Sequence, residues 1–149
     1  LDPYLAVLQV LRPKLVFEWG PGLNSWLATG SGASVIAVES QERYVPKGID
    51  PTRFTCRVIP VKAPEYVVPT ATADLFFVDG RRRSECLRAV HAVCPMHAVL
   101  CLHDAQRKKY QKALRVFEHG YYMARGLCVV SKSQSVLANL VSIWEGLAK

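Results

Sequence analysis

The chain has no apolar run approaching the ~18–20 residues that cross a bilayer, so no helical membrane span lies within it. It has five cysteines (Cys56, Cys86, Cys94, Cys101 and Cys128) but no C-x-x-C pair. That leaves neither a zinc knuckle nor a disulfide framework legible. An odd number of thiols, several inside apolar runs, points to reduced core cysteines and a cytoplasmic setting. The chain begins at Leu1 and not at Met, so a targeting segment could precede it. Acidic residues are the scarcer charge: 12 Asp and Glu against 19 Lys and Arg give a net charge of +7. The surplus favours an anionic or macromolecular partner and equally serves solubility. The basic residues are not interleaved with aromatics as in single-strand RNA binders, so nucleic acid is one candidate partner with nothing to single it out. Repeats and low-complexity segments are absent. The 149 residues, half of them hydrophobic, fit one domain over 1–149 with room for a two-sided sheet core and little else.

What is present is a set of apolar runs that each end in an acid. The stretch Val16-Phe17-Glu18-Trp19-Gly20-Pro21-Gly22-Leu23-Asn24-Ser25 predicts a buried strand that carries Glu18 near its C-terminal end and then breaks into a Gly-x-Gly turn. Ser25 stands where the dinucleotide fingerprint G-x-G-x-x-G has its third glycine, which disfavours a nicotinamide-dependent oxidoreductase. Ser34 to Glu39 is a second such run, and an acid ending the second strand of an open sheet lies beside the first glycine turn, where it can take both hydroxyls of a ribose. Leu75-Phe76-Phe77-Val78-Asp79 and Val99-Leu100-Cys101-Leu102-His103-Asp104 repeat the arrangement.

In these motifs the chain resembles the class I S-adenosylmethionine (SAM) methyltransferases over residues 15–118. Glu18-x-Gly20-x-Gly22 is similar to their first motif and Val38-Glu39-Ser40 to their second. The runs ending at Asp79-Gly80 and at His103-Asp104 are similar to their fourth and fifth strands. Val78-Asp79-Gly80-Arg81 followed by His103-Asp104-x-x-Arg107 looks most like small O-methyltransferases of the sugar and polysaccharide type. The resemblance implies an α/β, Rossmann-like, doubly wound and mostly parallel sheet. It also implies SAM as cofactor, held by Glu18, Gly20, Pro21, Gly22, Asn24, Ser25, Glu39, Ser40 and Asp79. Glu18 would serve the ammonium and Glu39 the ribose, while Asn24 and Ser25 would donate to the carboxylate.

Asp79, His103 and Asp104 are the candidate catalytic residues. An imidazole at the sheet mouth suits a general base that takes a hydroxyl proton from the acceptor. Asp104 also suits the N-cap of a following helix. In metal-dependent O-methyltransferases carboxylates at such strand ends surround a divalent ion, so Asp79 and Asp104 also make a Mg²⁺ site conceivable. A degenerate fold acting as a binding module is the rival from another class. Arg81, Arg82, Arg83, Arg107, Lys108 and Lys109 predict a basic rim for a large or anionic acceptor. Trp19 is expected beside the pocket, with Trp26 and Trp144 in the core or an interface.

The remaining expectations concern elements. Helices are predicted at 3–12, 24–29, 41–46, 82–93 and 105–118, the last closed by Gly120, and strands at 15–19, 34–39, 55–59, 74–78 and 97–102. Three prolines, Pro60, Pro64 and Pro69, forbid a regular helix between the third and fourth strands. The tail, 121–130 and 136–143 around a tight turn at 131–134, predicts a closing antiparallel hairpin with exposed apolar surface for a second subunit. No insertion is long enough to form a lid.

Overall fold

A computed structural model describes residues 2–147. Five parallel strands form the first part of the sheet: β1 (Leu15–Trp19), β2 (Ser34–Glu39), β3 (Phe54–Val58), β4 (Leu75–Val78) and β5 (Val99–Leu102). Two more, β6 (His119–Tyr122) and β7 (Cys128–Ser131), complete it in the order β3-β2-β1-β4-β5-β7-β6. Only β7 runs against its neighbours, pairing antiparallel with both β5 and β6. The central strands read as continuous apolar runs because both their faces are covered: β4 and β5 are buried at every position.

Helices α1 (Pro3–Leu11), α2 (Leu23–Gly30) and α5 (Gln134–Leu147) cover one face; α3 (Arg83–Val93) and α4 (Lys108–Leu114) cover the other. Asp2 caps α1, its Oδ1 accepting from the amides of Tyr4 (2.9 Å) and Leu5 (3.1 Å), with Pro3 at the first helical position. Strand alternation sends Val16, Leu75 and Val99 into the α1/α2/α5 core and Phe17, Phe76 and Leu100 into the other. Glu18, Asp79 and His103 are in step with the first set. The chain order reverses between β1 and β4, and open α/β sheets bind ligands in the crevice at such a point.

Several expectations need correction. Residues 41–46 hold only a 3-10 turn, Glu42–Tyr44, because Pro46 leaves no room for a second turn. The third strand is Phe54–Val58, one residue earlier than predicted, and the proline-rich loop contains the short turn Pro64–Val67. The helix expected at 105–118 is confined to Lys108–Leu114, and Gly120 lies inside β6. The hairpin is formed by β6 and β7, while residues 134–147 are helical, so 131–134 leads into a helix. Trp19 is fully buried in the α3/α4 core, its Nε1 donating to the Tyr66 carbonyl at 2.6 Å, and does not flank the pocket. Trp26 is half-exposed against Gly48, whereas Trp144 is buried. All five cysteines are free, four of them buried.

Candidate active site

The crevice begins where the ends of β1 and β4 touch. Gly20 sits at φ +76°, and a Cβ there would lie 2.7 Å from the Gly80 amide nitrogen. Its glycine is therefore required by contact between two strand ends, not only by a ligand. Gly22 differs, being extended, and a Cβ would meet only Asn24 Oδ1 at 3.5 Å. The space it leaves free is part of a cavity of about 280 Å³ lined also by Tyr4, Asn24, Phe77, Asp79 and His103. A second cavity of about 240 Å³ lies on the other side of Gly20, bordered by Glu39, Ser40, Tyr66 and Asp79.

Glu18 is wholly buried under the glycine turn. Its Oε2 accepts from Asn24 Nδ2 at 2.6 Å and its Oε1 from the Ser25 hydroxyl, which in turn accepts from the Gly22 amide at 3.1 Å. Burial pushes its carboxyl from the ordinary 4.5 up to about 7, against the lowering effect of the two donors and with a further push from Asp79. Asn24 and Ser25 are thus turned inward to Glu18, and the three side chains brace the turn.

Glu39 presents a different picture. Its Oε1 takes the Ser40 amide, the Ser40 hydroxyl at 2.9 Å and the Gln41 amide at 3.1 Å, fixing the carboxylate plane. Its Oε2 has no partner among the described residues and is not sealed off from solvent. One oxygen is held by the chain and the other is available at the cavity wall.

On the far side of Gly20, the ends of β4 and β5 bring Asp79, His103 and Asp104 together, with ligand atoms of all three within 4.8 Å of one another. His103 Nδ1 lies 3.0 Å from Asp79 Oδ1 and 3.8 Å from Asp104 Oδ1. An ionised carboxylate can only accept, so Nδ1 is the donor in this contact. Asp104 adopts a left-handed backbone (φ 56°), tolerable for Asp, and is not the cap of α4, which starts four residues later.

Sequence reasoning missed Tyr4 and Tyr66 here and placed Arg83 on the rim. Arg83, in the first turn of α3, pairs with Asp79 (2.9 Å) and Asp104 (3.4 Å) and donates to the carbonyls of His103, Asp79 and Gly80. Tyr4 buries its hydroxyl without a hydrogen-bond partner, the one such side-chain atom found among the described residues. Tyr66 reaches from the proline loop to accept the Arg81 amide at 2.9 Å, its phenol pushed up to about 12 by burial. A contiguous Arg triplet gave no sign that one member turns inward.

Half of the predicted basic rim is engaged in ion pairs. Arg82 holds Glu85 and the carbonyls of Val61 and Ala63, Arg83 is turned inward to Asp79, and Arg107 pairs with Asp104 at 2.9 Å. Lys109 lies over the Tyr110 ring. Arg81 borders the Glu39 cavity.

A divalent ion does not fit the Asp79–His103–Asp104 cluster. Both carboxylates already carry guanidinium partners, so the group is charge-balanced before any ion enters. Unit charges about 4 Å apart near a protein surface interact by about 4 kcal/mol. A dication would be attracted by each carboxylate and repelled by each guanidinium on that scale, so the two ion pairs leave it no net electrostatic gain.

No protein-family model matches the sequence, and no curated protein does either. Solved structures do match. A methyltransferase-like protein from Silicibacter pomeroyi is 16% identical with TM-score 0.61, over 95% of this chain and 93% of that one. A Staphylococcus aureus protein assigned as a caffeoyl-CoA O-methyltransferase is 11% identical with TM-score 0.69, over 87% and 81%. The T. thermophilus 16S rRNA N2 methyltransferase, solved with AdoMet and guanosine, is 17% identical with TM-score 0.59, over 88% and 43%. Spermidine synthase from Thermotoga maritima shares the architecture as well, with TM-score 0.63 at 16% identity over 91% and 59%. The chain shares the fold of these solved structures.

Proposed function

We propose that the chain is a SAM-dependent methyltransferase acting on a hydroxyl oxygen of a large acceptor. The observation that carries this is Glu39: a carboxylate fixed through one oxygen and free at the other, at the end of β2, beside the switch-point crevice. The residues fit the cofactor on two further counts. Gly22 keeps open a cavity that no protein atom requires to be open, and Tyr4 holds a buried, unpartnered hydroxyl beneath it. Glu39 would take the ribose and the Gly20–Gly22 turn the amino-acid end, with Glu18, Asn24 and Ser25 holding that turn in shape and Ser40 holding Glu39.

When bound, SAM supplies a methyl group on a positively charged sulfur. Asp79 holds His103 through Nδ1, and the side chain is 43% exposed, within reach of an acceptor too large to enter an enclosed pocket. His103 Nε2, in the neutral ring, would take the proton of the acceptor hydroxyl as its oxygen bonds to the methyl carbon and the carbon–sulfur bond breaks, leaving S-adenosylhomocysteine as a neutral thioether. Alignment of acceptor and donor supplies most of the remaining acceleration. Arg82, Arg83 and Arg107 are paired internally, while Arg81, Lys108 and Lys109 have no ion pair among the described residues and would favour an acceptor that is anionic as well as large. A spermidine synthase on the same architecture means that group transfer other than methyl is the alternative to test.

The experiment is calorimetric titration of SAM, with NAD as control. The wild type is expected to bind SAM and not NAD. Glu39→Ala should bind SAM more weakly by about 1.5–3 kcal/mol, the scale of hydrogen bonds to a charged group, with its fold intact. Equal affinity in a folded Glu39→Ala protein removes the assignment.

A further inference from the structure

We propose that Arg83 is the resident cation of the reaction centre, a positioning residue whose guanidinium occupies the place between Asp79 and Asp104 that a divalent ion would need. The inference deepens the function proposed above and rests on that reading only for what His103 does; the placement of Arg83 stands on the geometry alone. Sequence position suggests a surface residue, the third of a run of arginines. Its side chain is instead only 11% exposed. All three of its nitrogens are used: Nε donates to the Gly80 carbonyl at 3.0 Å, Nη1 to the His103 carbonyl at 2.7 Å, and Nη2 to the Asp79 carbonyl at 3.1 Å. The same Nη1 and Nη2 reach the carboxylates of Asp104 and Asp79. One side chain therefore ties the end of β4 to the end of β5 through both backbone and side chain. The ring of Tyr110 lies against its other side, 5.5 Å from the guanidinium carbon.

Two consequences follow from charge. The Asp79 oxygen that forms the ion pair with Arg83 Nη2 also contacts His103 Nδ1, so the guanidinium fixes the acceptor that orients the imidazole. Around that imidazole stand Asp79 and Asp104, then Arg83 and Arg107, with Asp2 and Tyr4 of α1 on the cavity side. Without Arg83 the ring would face the two carboxylates against one guanidinium, an environment that favours its protonated form. A protonated imidazole is no base. The chain thus supplies with a permanent cation both the strand-end clamp and the charge balance for which an exchangeable ion would otherwise be recruited.

The test uses the full chain without cofactor or acceptor, so its outcome does not depend on whether SAM binds. The His103 ring is followed by NMR, assigned with His103→Ala, in the wild type, Arg83→Gln and Arg83→Lys. The titration midpoint of His103 is expected to move up by about one pH unit in Arg83→Gln and to stay close to the wild type in Arg83→Lys, which keeps the charge. A merely structural role would not follow charge in this way, and an unmoved midpoint in folded Arg83→Gln overturns the proposal. In parallel, Mn²⁺ is added to the wild type. Unaltered His103 resonances are expected, and selective paramagnetic broadening of that ring overturns the proposal, even if Arg83→Gln fails to fold.

Discussion

Glu18 shows how one residue can be legible in identity while its surroundings are not. Its position after an apolar run marked it for the cofactor, but the structure places it below the turn, wholly buried and held by Asn24 and Ser25. Its raised carboxyl has a thermodynamic consequence. The folded protein holds that proton up to about pH 7, whereas the unfolded chain releases it near 4.5. The associated stabilisation is complete below the unfolded value and is lost as pH rises through the folded one. At 1.36 kcal/mol per pH unit the interval corresponds to about 3 kcal/mol. Urea unfolding from pH 4.5 to 8 should therefore show stability falling more steeply in the wild type than in Glu18→Gln, which has no proton to lose. Parallel curves for the two proteins would mean that Glu18 is not the group responsible.

At the scale of elements, the glycine turn after β1 separates packing from binding. Gly20 has a positive φ and meets the Gly80 backbone, so Gly20→Ala should cost about 2–4 kcal/mol in urea unfolding, combining left-handed strain with a clash. Gly22 is extended with open space beside it, so Gly22→Ala should fall within about 1 kcal/mol of wild-type stability yet weaken SAM in calorimetry. The reverse pattern would transfer the ligand-facing role to Gly20. The parallel strands and their terminal acids were readable because a strand covered on both faces must be apolar throughout. The C-terminal segment was not. Val136, Val141 and Ile143 suggested a strand, although Leu137, Leu140 and Trp144, the residues that are buried, recur at helical spacing. The helix after β5 was drawn too long because nothing in Asp104 to Arg107 reveals that Asp104 turns left-handed to meet two arginines. Arg83 and Tyr4 were illegible for a related reason: their roles come from partners 21 residues away or from no partner at all.

The molecule as a whole is a seven-stranded sheet with one crevice at its reversal of order, divided by the Gly20–Gly80 contact into two small cavities that share Asp79. Neither is large enough to enclose both a cofactor and an acceptor, which accords with a cofactor lying across the divide and an acceptor approaching from solvent at His103. The central claim is that this crevice binds SAM with the ribose at Glu39 and the reacting end at Asp79 and His103. A crystal structure with S-adenosylhomocysteine tests it most directly. The account predicts ribose hydroxyls on Glu39 Oε2, the amino-acid end against Gly20–Gly22 with Tyr4 Oη gaining a partner, and the sulfur on the His103 side of the divide. A ligand bound elsewhere, or in the crevice with its ribose away from Glu39, would contradict it.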